Sequence, residues 1–185
     1  MIREIVIYGD PVLRAKGRKV TKVDEEIRQL AADMLETMHE AGGVGLAAQQ
    51  VGEALQLTVI DVSQAENRPS RMWINGEEVD PNDHMPLVLV NPELVLTRET
   101  ETGPEGCLSF PEVTADITRS AHATVKASDL DGNQVEFEAE GLLARAAQHE
   151  VDHLNGILFI DRMSSATKVS LGSKLKRLAT GEVSD

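Results

Sequence analysis

Cysteine is almost missing from this chain: Cys107 is the only one in 185 residues. A lone cysteine closes no internal disulfide, so no disulfide framework holds the fold. Aromatic side chains are scarce as well, at 3%, and the core must be built from Leu, Val, Ile, Ala and Met. No apolar run approaches the ~20 residues that a membrane-crossing helix needs. No basic N-terminal segment leads into a long apolar one, so no secretory signal is expected. Positive charge is short too, with 18 Lys and Arg against 31 Asp and Glu and a net charge of −13. Such a surface disfavours broad nucleic-acid binding. Repeats, low-complexity tracts and linkers are lacking, which with this length predicts one domain over residues 1–185. The expectation is a cytoplasmic protein with neither a membrane nor a specific nucleic acid as partner.

Read in order, Ile5 to Tyr8 is a short extended segment that Gly9-Asp10-Pro11 turns. Asp24 is an N-cap for a helix running to about Ala41, with Glu25 and Glu26 in its first turn. His39 at its end is read as a solvated residue. Three glycines then fall within Gly42-Gly43-Val44-Gly45, ahead of Gln49 and Gln50. They mark either a helix end with a tight turn, or a backbone edge that pairs with an extended peptide beside a Gln amide. Leu55 to Val62 and Leu87 to Leu96 are predicted strands, the second interrupted at Asn91-Pro92. Between them Ser63 to Pro86 is polar and long enough for a lid, with a hairpin turn at Asn75-Gly76. Trp73 is read as the anchor of this stretch to the body, with cover of a pocket as the alternative, and His84 as solvated. A polar turn is placed at Gly103-Pro104, and a hairpin at Asp131-Gly132 joins two alternating strands. Ile157 to Ile160 is predicted as a short strand, and a last helix starts near Ala166, carrying Lys168, Lys174, Lys176 and Arg177. Strands that outnumber helices and pair locally predict an α+β fold.

The stretch Gln148-His149-Glu150-Val151-Asp152-His153 contains H-E-x-x-H. Leu142, Leu143, Ala146, Ala147, Val151 and Leu154 flank it at helical spacing, and Gly156 stops the helix. Residues four apart share a helix face, so His149 and His153 can aim two imidazoles at one metal ion. Glu150 is then placed to take a proton from a water at that ion. A catalytic metal keeps three protein ligands and an open position. Zinc proteases of the longer pattern would use a His six residues after His153, but Phe159 stands there, and the only downstream glutamate is Glu182. Cys107, with Gly106 beside it, is the candidate for the gap: a thiolate with two imidazoles suits a borderline-soft divalent metal. Three readings remain at this point: a metal-dependent hydrolase, a zinc endopeptidase short of a ligand, and a protein with a closed structural metal site. An intact Glu150 and Gln50 speak against the last, since a closed site needs neither a base nor an oxyanion donor.

Three segments carry a resemblance. Gly43-Val44-Gly45-Leu46-Ala47-Ala48-Gln49-Gln50, Glu105-Gly106-Cys107-Leu108-Ser109 and Gln148-His149-Glu150-Val151-Asp152-His153 resemble, in order, the signature motifs of peptide deformylases. Gly9-Asp10-Pro11-Val12-Leu13-Arg14 is similar to that family's N-terminal segment. The resemblance implies antiparallel sheets around a central helix carrying H-E-x-x-H, with N-terminal and C-terminal helices. It implies removal of the formyl group from the initiator formyl-methionine of nascent proteins, with release of formate. It implies one divalent metal, Fe(II) natively, with Zn(II), Ni(II) or Co(II) as substitutes, held by Cys107, His149 and His153. Glu150 would be the base, with Gln50 and the Leu108 backbone N–H as oxyanion donors. Val44 and Gly45 would pair with the peptide, and Val44, Leu142 and His149 would frame a pocket for the Met side chain. Glu105 and Arg119 resemble an ion pair of the family. Partners would be formyl-methionyl peptides and nascent chains; the basic cluster of the last helix is read as a solvated face, with a docking patch for transient ribosome contact as the alternative. Two features depart from the pattern: the 63–86 stretch is longer than in compact members, and Thr114 stands where many carry a substrate-contacting Arg.

Overall fold

Helix α1 (Glu25–Glu40) starts where the Asp24 side chain accepts the amide N–H of Ile27, with Glu25 and Glu26 against the positive end of the helix dipole. Leu30, Ala31, Met34 and Met38 recur at helical spacing and are buried. The computed structural model continues through β1 (Gly45–Ala47), β2 (Leu57–Ile60), β3 (Ser70–Ile74), β4 (Glu77–Val79), β5 (Leu87–Leu96), β6 (Thr100–Cys107), β7 (Phe110–Ser120), β8 (His122–Ser128) and β9 (Gln134–Gly141). Helices α2 (Leu142–Leu154) and α3 (Ser165–Thr180) follow. Residues 1–181 are described, and Glu182 lies outside them.

One sheet orders its strands β1-β2-β5-β8-β9-β3-β4, and β6 pairs with β7 in a separate ribbon. All these pairings are antiparallel, and the fold is α+β as predicted. The two-residue turn Asn75-Gly76 closes β3 on β4 with φ of 53° and 80°, the positive values such a hairpin turn requires. Asp131-Gly132 lies in the turn between β8 and β9, whose buried faces carry Ala123, Val125, Phe137 and Ala139. The interruption at Asn91-Pro92 is a shift of register between Val90 and Glu93, with Asn91 at φ 51°. The Asn91 side chain bonds both backbone groups of Val20 at 2.9 Å.

Four readings of the sequence are corrected. The chain does not turn at Gly103-Pro104, because β6 runs straight through it. A two-stranded ribbon has a free edge on each strand, so a proline fits where no ladder donor is needed. The long strand β7 was not foreseen: Glu112 at φ 62° and a register shift after Gly106 break the alternation that marks a strand. The expected strand at Ile157–Ile160 is a tight helical turn, Phe159–Arg162, in which Asp161 accepts the Leu158 N–H at 3.0 Å. The long polar stretch is no loose lid either; β3 pairs with β9 and fastens it to the sheet.

Helix α2 lies against β1, β2, β3, β5, β7, β8 and β9. Leu142, Leu143, Ala146 and Ala147 join Leu89, Val125 and Phe137 in one core cluster, and α1 packs Leu30, Met34 and Met38 on Leu46, Leu57 and Val59 in a second. The second contains no aromatic residue. Most of the rings gather elsewhere. Tyr8 stacks on Phe110 at 4.7 Å and Phe110 meets Phe159 edge-on at 5.0 Å, in a third cluster under α3. Each such ring pair adds about 0.5–1.5 kcal/mol beyond the area it buries. Among the described residues no helix is long and apolar enough to cross a membrane.

Candidate metal centre

Polar residues on a helix as buried as α2 need partners, and its histidines find theirs at one point. His149 and His153 are one turn apart, with their Nε2 atoms separated by 3.2 Å. Cys107, the last residue of β6, places Sγ 3.3 Å from His153 Nε2. The three ligand atoms lie within 4.8 Å of one another. Metal–nitrogen and metal–sulfur bonds of about 2.0–2.3 Å at tetrahedral angles set ligand atoms roughly 3.3–3.7 Å apart. Two of the three separations, at 3.2 and 3.3 Å, are close to that spacing, and the cluster is suited to a small divalent ion.

The ring orientation of His149 is enforced from behind. Its Nδ1 meets Glu105 Oε1 at 2.9 Å, which turns Nε2 toward Cys107. Glu105 is gripped in turn by Arg119 through Nε at 2.7 Å and Nη2 at 2.9 Å, and by Arg145 Nη1 at 2.7 Å. Arg119 continues to Asp152 at 2.8 Å, and Asp152 to Arg162 at 3.0 Å. Burial alone would raise the Glu105 carboxyl, but hydrogen bonds from His149 and Arg119 and the Arg119 charge hold it well below the usual range.

The two histidines of the cluster shift in opposite directions. Burial works to lower the His149 pKa, yet Cys107 and Glu105 carry it up to about 10. Burial, with the His149 charge added, drives His153 well below its ordinary value. The Glu105 carboxylate beside His149 thus favours positive charge there, the charge that a bound metal ion supplies. His153 Nδ1 and Glu150 Oε2 are buried without a hydrogen-bond partner among the described residues.

Glu150 is 4% exposed, and burial raises its pKa to about 7. It presses on β1: a Cβ at Gly45 would stand 2.9 Å from Glu150 Cγ and Oε1. Gln50 sits in a short turn after β1 and accepts the Ala47 N–H through Oε1 at 3.0 Å. That contact aims Nε2 at Ser109 Oγ, 3.1 Å away, and Cys107 Sγ, 3.5 Å away. A cavity of about 320 Å³ opens over the cluster, lined by Val44, Gly45, Leu108 and Leu142 together with Gln50, Cys107, His149 and Glu150. The sequence-predicted site residues therefore converge. Phe159, where a longer-pattern protease would have its third ligand, offers only a ring that packs 5.8 Å from His149. Trp73 lies outside the cavity, with Arg71 over its face at 4.8 Å and His122 at 6.1 Å. Thr114 pairs with Gly106 and does not line the cavity.

Sequence reasoning missed Arg145, Asp152 and Arg162. Arg145 carried a usable signal, since Arg145, His149 and His153 continue one helix face at four-residue steps. Asp152 and Arg162 carried none, because only the tertiary fold joins them to Arg119.

With this geometry in view, comparison with known proteins points one way. The family model of polypeptide deformylases matches residues 2–169. A peptide deformylase of Methylacidiphilum infernorum is 47% identical over 182 residues, covering 98% of this chain and 95% of that one. The crystal structure of peptide deformylase from Thermus thermophilus superposes with a TM-score of 0.82 at 35% identity, covering 98% of this chain and 99% of that one. That from Thermotoga maritima gives 0.75 at 43% identity, covering 89% and 99%.

Proposed function

The chain belongs to the polypeptide deformylase family, and from that premise we propose that it removes the N-formyl group from the initiator formyl-methionine of nascent proteins and releases formate. Residues 1–185 act as a single catalytic domain in the cytoplasm. The observation that supports this most is the meeting of Cys107, His149 and His153 in one cluster, next to a cavity that Glu150 and Gln50 line.

Cys107, His149 and His153 hold one divalent ion, Fe(II) natively, with Zn(II), Ni(II) or Co(II) as substitutes. One thiolate and two imidazoles suit Fe(II) and Zn(II) alike, so the preference for iron rests on the family alone. When bound, the ion supplies positive charge that polarises a carbonyl and lowers the pKa of nearby water. Glu150 takes a proton from the attacking water as its oxygen bonds to the formyl carbon. A pKa of about 7 suits a group that must accept and then release a proton near neutrality. As the C–N bond breaks, Glu150 returns that proton to the nitrogen, which leaves as the free amine of Met, and the formyl carbon departs as formic acid, which gives its remaining proton to solvent and becomes formate. Gln50 Nε2 and the Leu108 backbone N–H stabilise the negative oxygen on the tetrahedral carbon. The backbone of Val44 and Gly45 pairs with the extended peptide. Val44, Leu142 and His149 frame the pocket that takes the Met side chain.

Substrates are formyl-methionyl peptides and nascent chains. Lys168, Lys176 and Arg177 are exposed on α3, whereas Lys174 reaches the Glu112 carbonyl. We assign ribosome contact to this face. Unchanged co-sedimentation with ribosomes after charge reversal of Lys174, Lys176 and Arg177 would overturn that assignment.

The activity is tested by formate release from formyl-Met-Ala-Ser, using protein purified without oxygen. One metal per chain, released formate and no internal peptide cleavage are expected. Full metal occupancy without formate would overturn the reading, and cleavage inside the peptide would point to an endopeptidase.

A further inference from the structure

One wall of the cavity has no part in the chemistry above. Arg68, from the stretch between β2 and β3, lines it. Its Nη2 donates to the Pro104 carbonyl on β6 at 2.9 Å, and among the described residues no carboxylate pairs with it. The other arginine of the wall, Arg145, is paired with Glu105 and bonds the carbonyls of Ile117 and Glu101. A guanidinium carries five N–H donors in a planar fork, so a single contact leaves Arg68 with most of its donors unused.

The backbone fixes where this cation stands. The Pro69 carbonyl accepts the Leu142 N–H at 3.0 Å, and Ser70 Oγ accepts the Leu143 N–H at 2.9 Å. Gly141 sits at φ +71°, and a Cβ there would fall 2.2 Å from the Pro69 oxygen, so only glycine permits the approach. The residue after Arg68 is thereby pinned to the first turn of the helix that carries His149 and His153. The long polar stretch thereby brings a cation to the cavity rim.

We propose that Arg68 is a specificity-determining residue that donates hydrogen bonds to a carbonyl or carboxylate oxygen of the substrate chain beyond the formyl-methionine. This rests on the deformylase reading. The formyl end and the Met side chain occupy the interior of the cavity, and Arg68 is exposed at its edge, where the rest of the peptide must leave. In a chain of net charge −13, an uncommitted cation at that edge gives the peptide's oxygens a local partner.

The test compares kcat and KM of wild type, Arg68→Ala and Arg68→Lys on three substrates: formyl-Met-Ala-Ser as free acid, the same peptide as C-terminal amide, and formyl-methionine amide. Arg68→Ala should raise KM for the tripeptide about tenfold, the value of one charge-assisted hydrogen bond, with kcat held within about twofold. Arg68→Lys should recover most of that loss, and the KM rise should vanish on formyl-methionine amide. Equal effects on acid and amide identify a backbone carbonyl as the partner, and an effect on the acid alone identifies the carboxylate. An unchanged KM on the tripeptides, or an equal loss on all three substrates, would overturn the proposal. Wild-type protein that releases no formate would overturn the deformylase reading and this one with it, whereas an active wild type with indifferent Arg68 variants overturns this one alone.

Discussion

A Cβ added at Gly45 would collide with Glu150 at 2.9 Å, and Glu150 is too buried to swing aside. Gly45→Ala should therefore cut kcat by at least tenfold, since a displaced base loses much of the gain that proton transfer supplies. Steady-state kinetics with metal content measured in parallel check this, and a variant with wild-type kcat contradicts it. Gln50 is held by Ala47 at one end and aimed at Cys107 and Ser109 at the other. Losing one pre-aimed oxyanion donor costs about 100-fold or more in rate, so Gln50→Ala should fall by that factor in kcat while keeping its metal. Arg145 acts at one remove, by gripping Glu105, which orients His149. Arg145→Met should weaken metal binding about tenfold or more, read by chelator competition. An unchanged affinity would mean that Arg119 alone suffices to hold Glu105.

Elements were legible in the sequence where the signal is local. The Asp24 cap, the apolar period of α1 and the H-E-x-x-H face of α2 are each written within about four residues. The turns at Asn75-Gly76 and Asp131-Gly132 were equally plain, because both need the positive φ that Asn and Gly tolerate. Elements failed to show where a distant partner decides them. Nothing near Phe110 announces β7, whose strand character exists only through its pairing with β6. Ile157 to Ile160 has strand composition, but among the described residues no strand pairs with it and Asp161 bends it into a helical turn. The same division holds at the site: the ligands, the base and Gln50 sit in recognisable motifs, whereas Arg68, Asp152 and Arg162 enter through tertiary contacts alone. One local element can be weighed directly. Asp24→Ala should destabilise the protein by about 1 kcal/mol through the lost cap on Ile27, checked by denaturant unfolding at constant m. A loss near zero would mean that α1 is held by packing only.

At the scale of the whole molecule, a protein of net charge −13 keeps its buried cations, Arg119 and Arg145, around one carboxylate. Glu105 is held below its ordinary value, so the stability it contributes is present above about 4.5, the value of a free Glu, and is lost as pH falls further. Metal-free wild type should lose Tm more steeply below that pH than Glu105→Gln does, and equal slopes in thermal melts would contradict the sign. The central claim is that the fold brings a metal site and a separate base to one cavity. Glu150→Gln tests it most directly, with bound metal and formate release measured on the same preparation. The account predicts one metal per chain, as in wild type, and formate release from formyl-Met-Ala-Ser reduced by more than about 100-fold. Retained activity, or loss of the metal along with it, would contradict the assignment of Glu150 as the group that moves the proton.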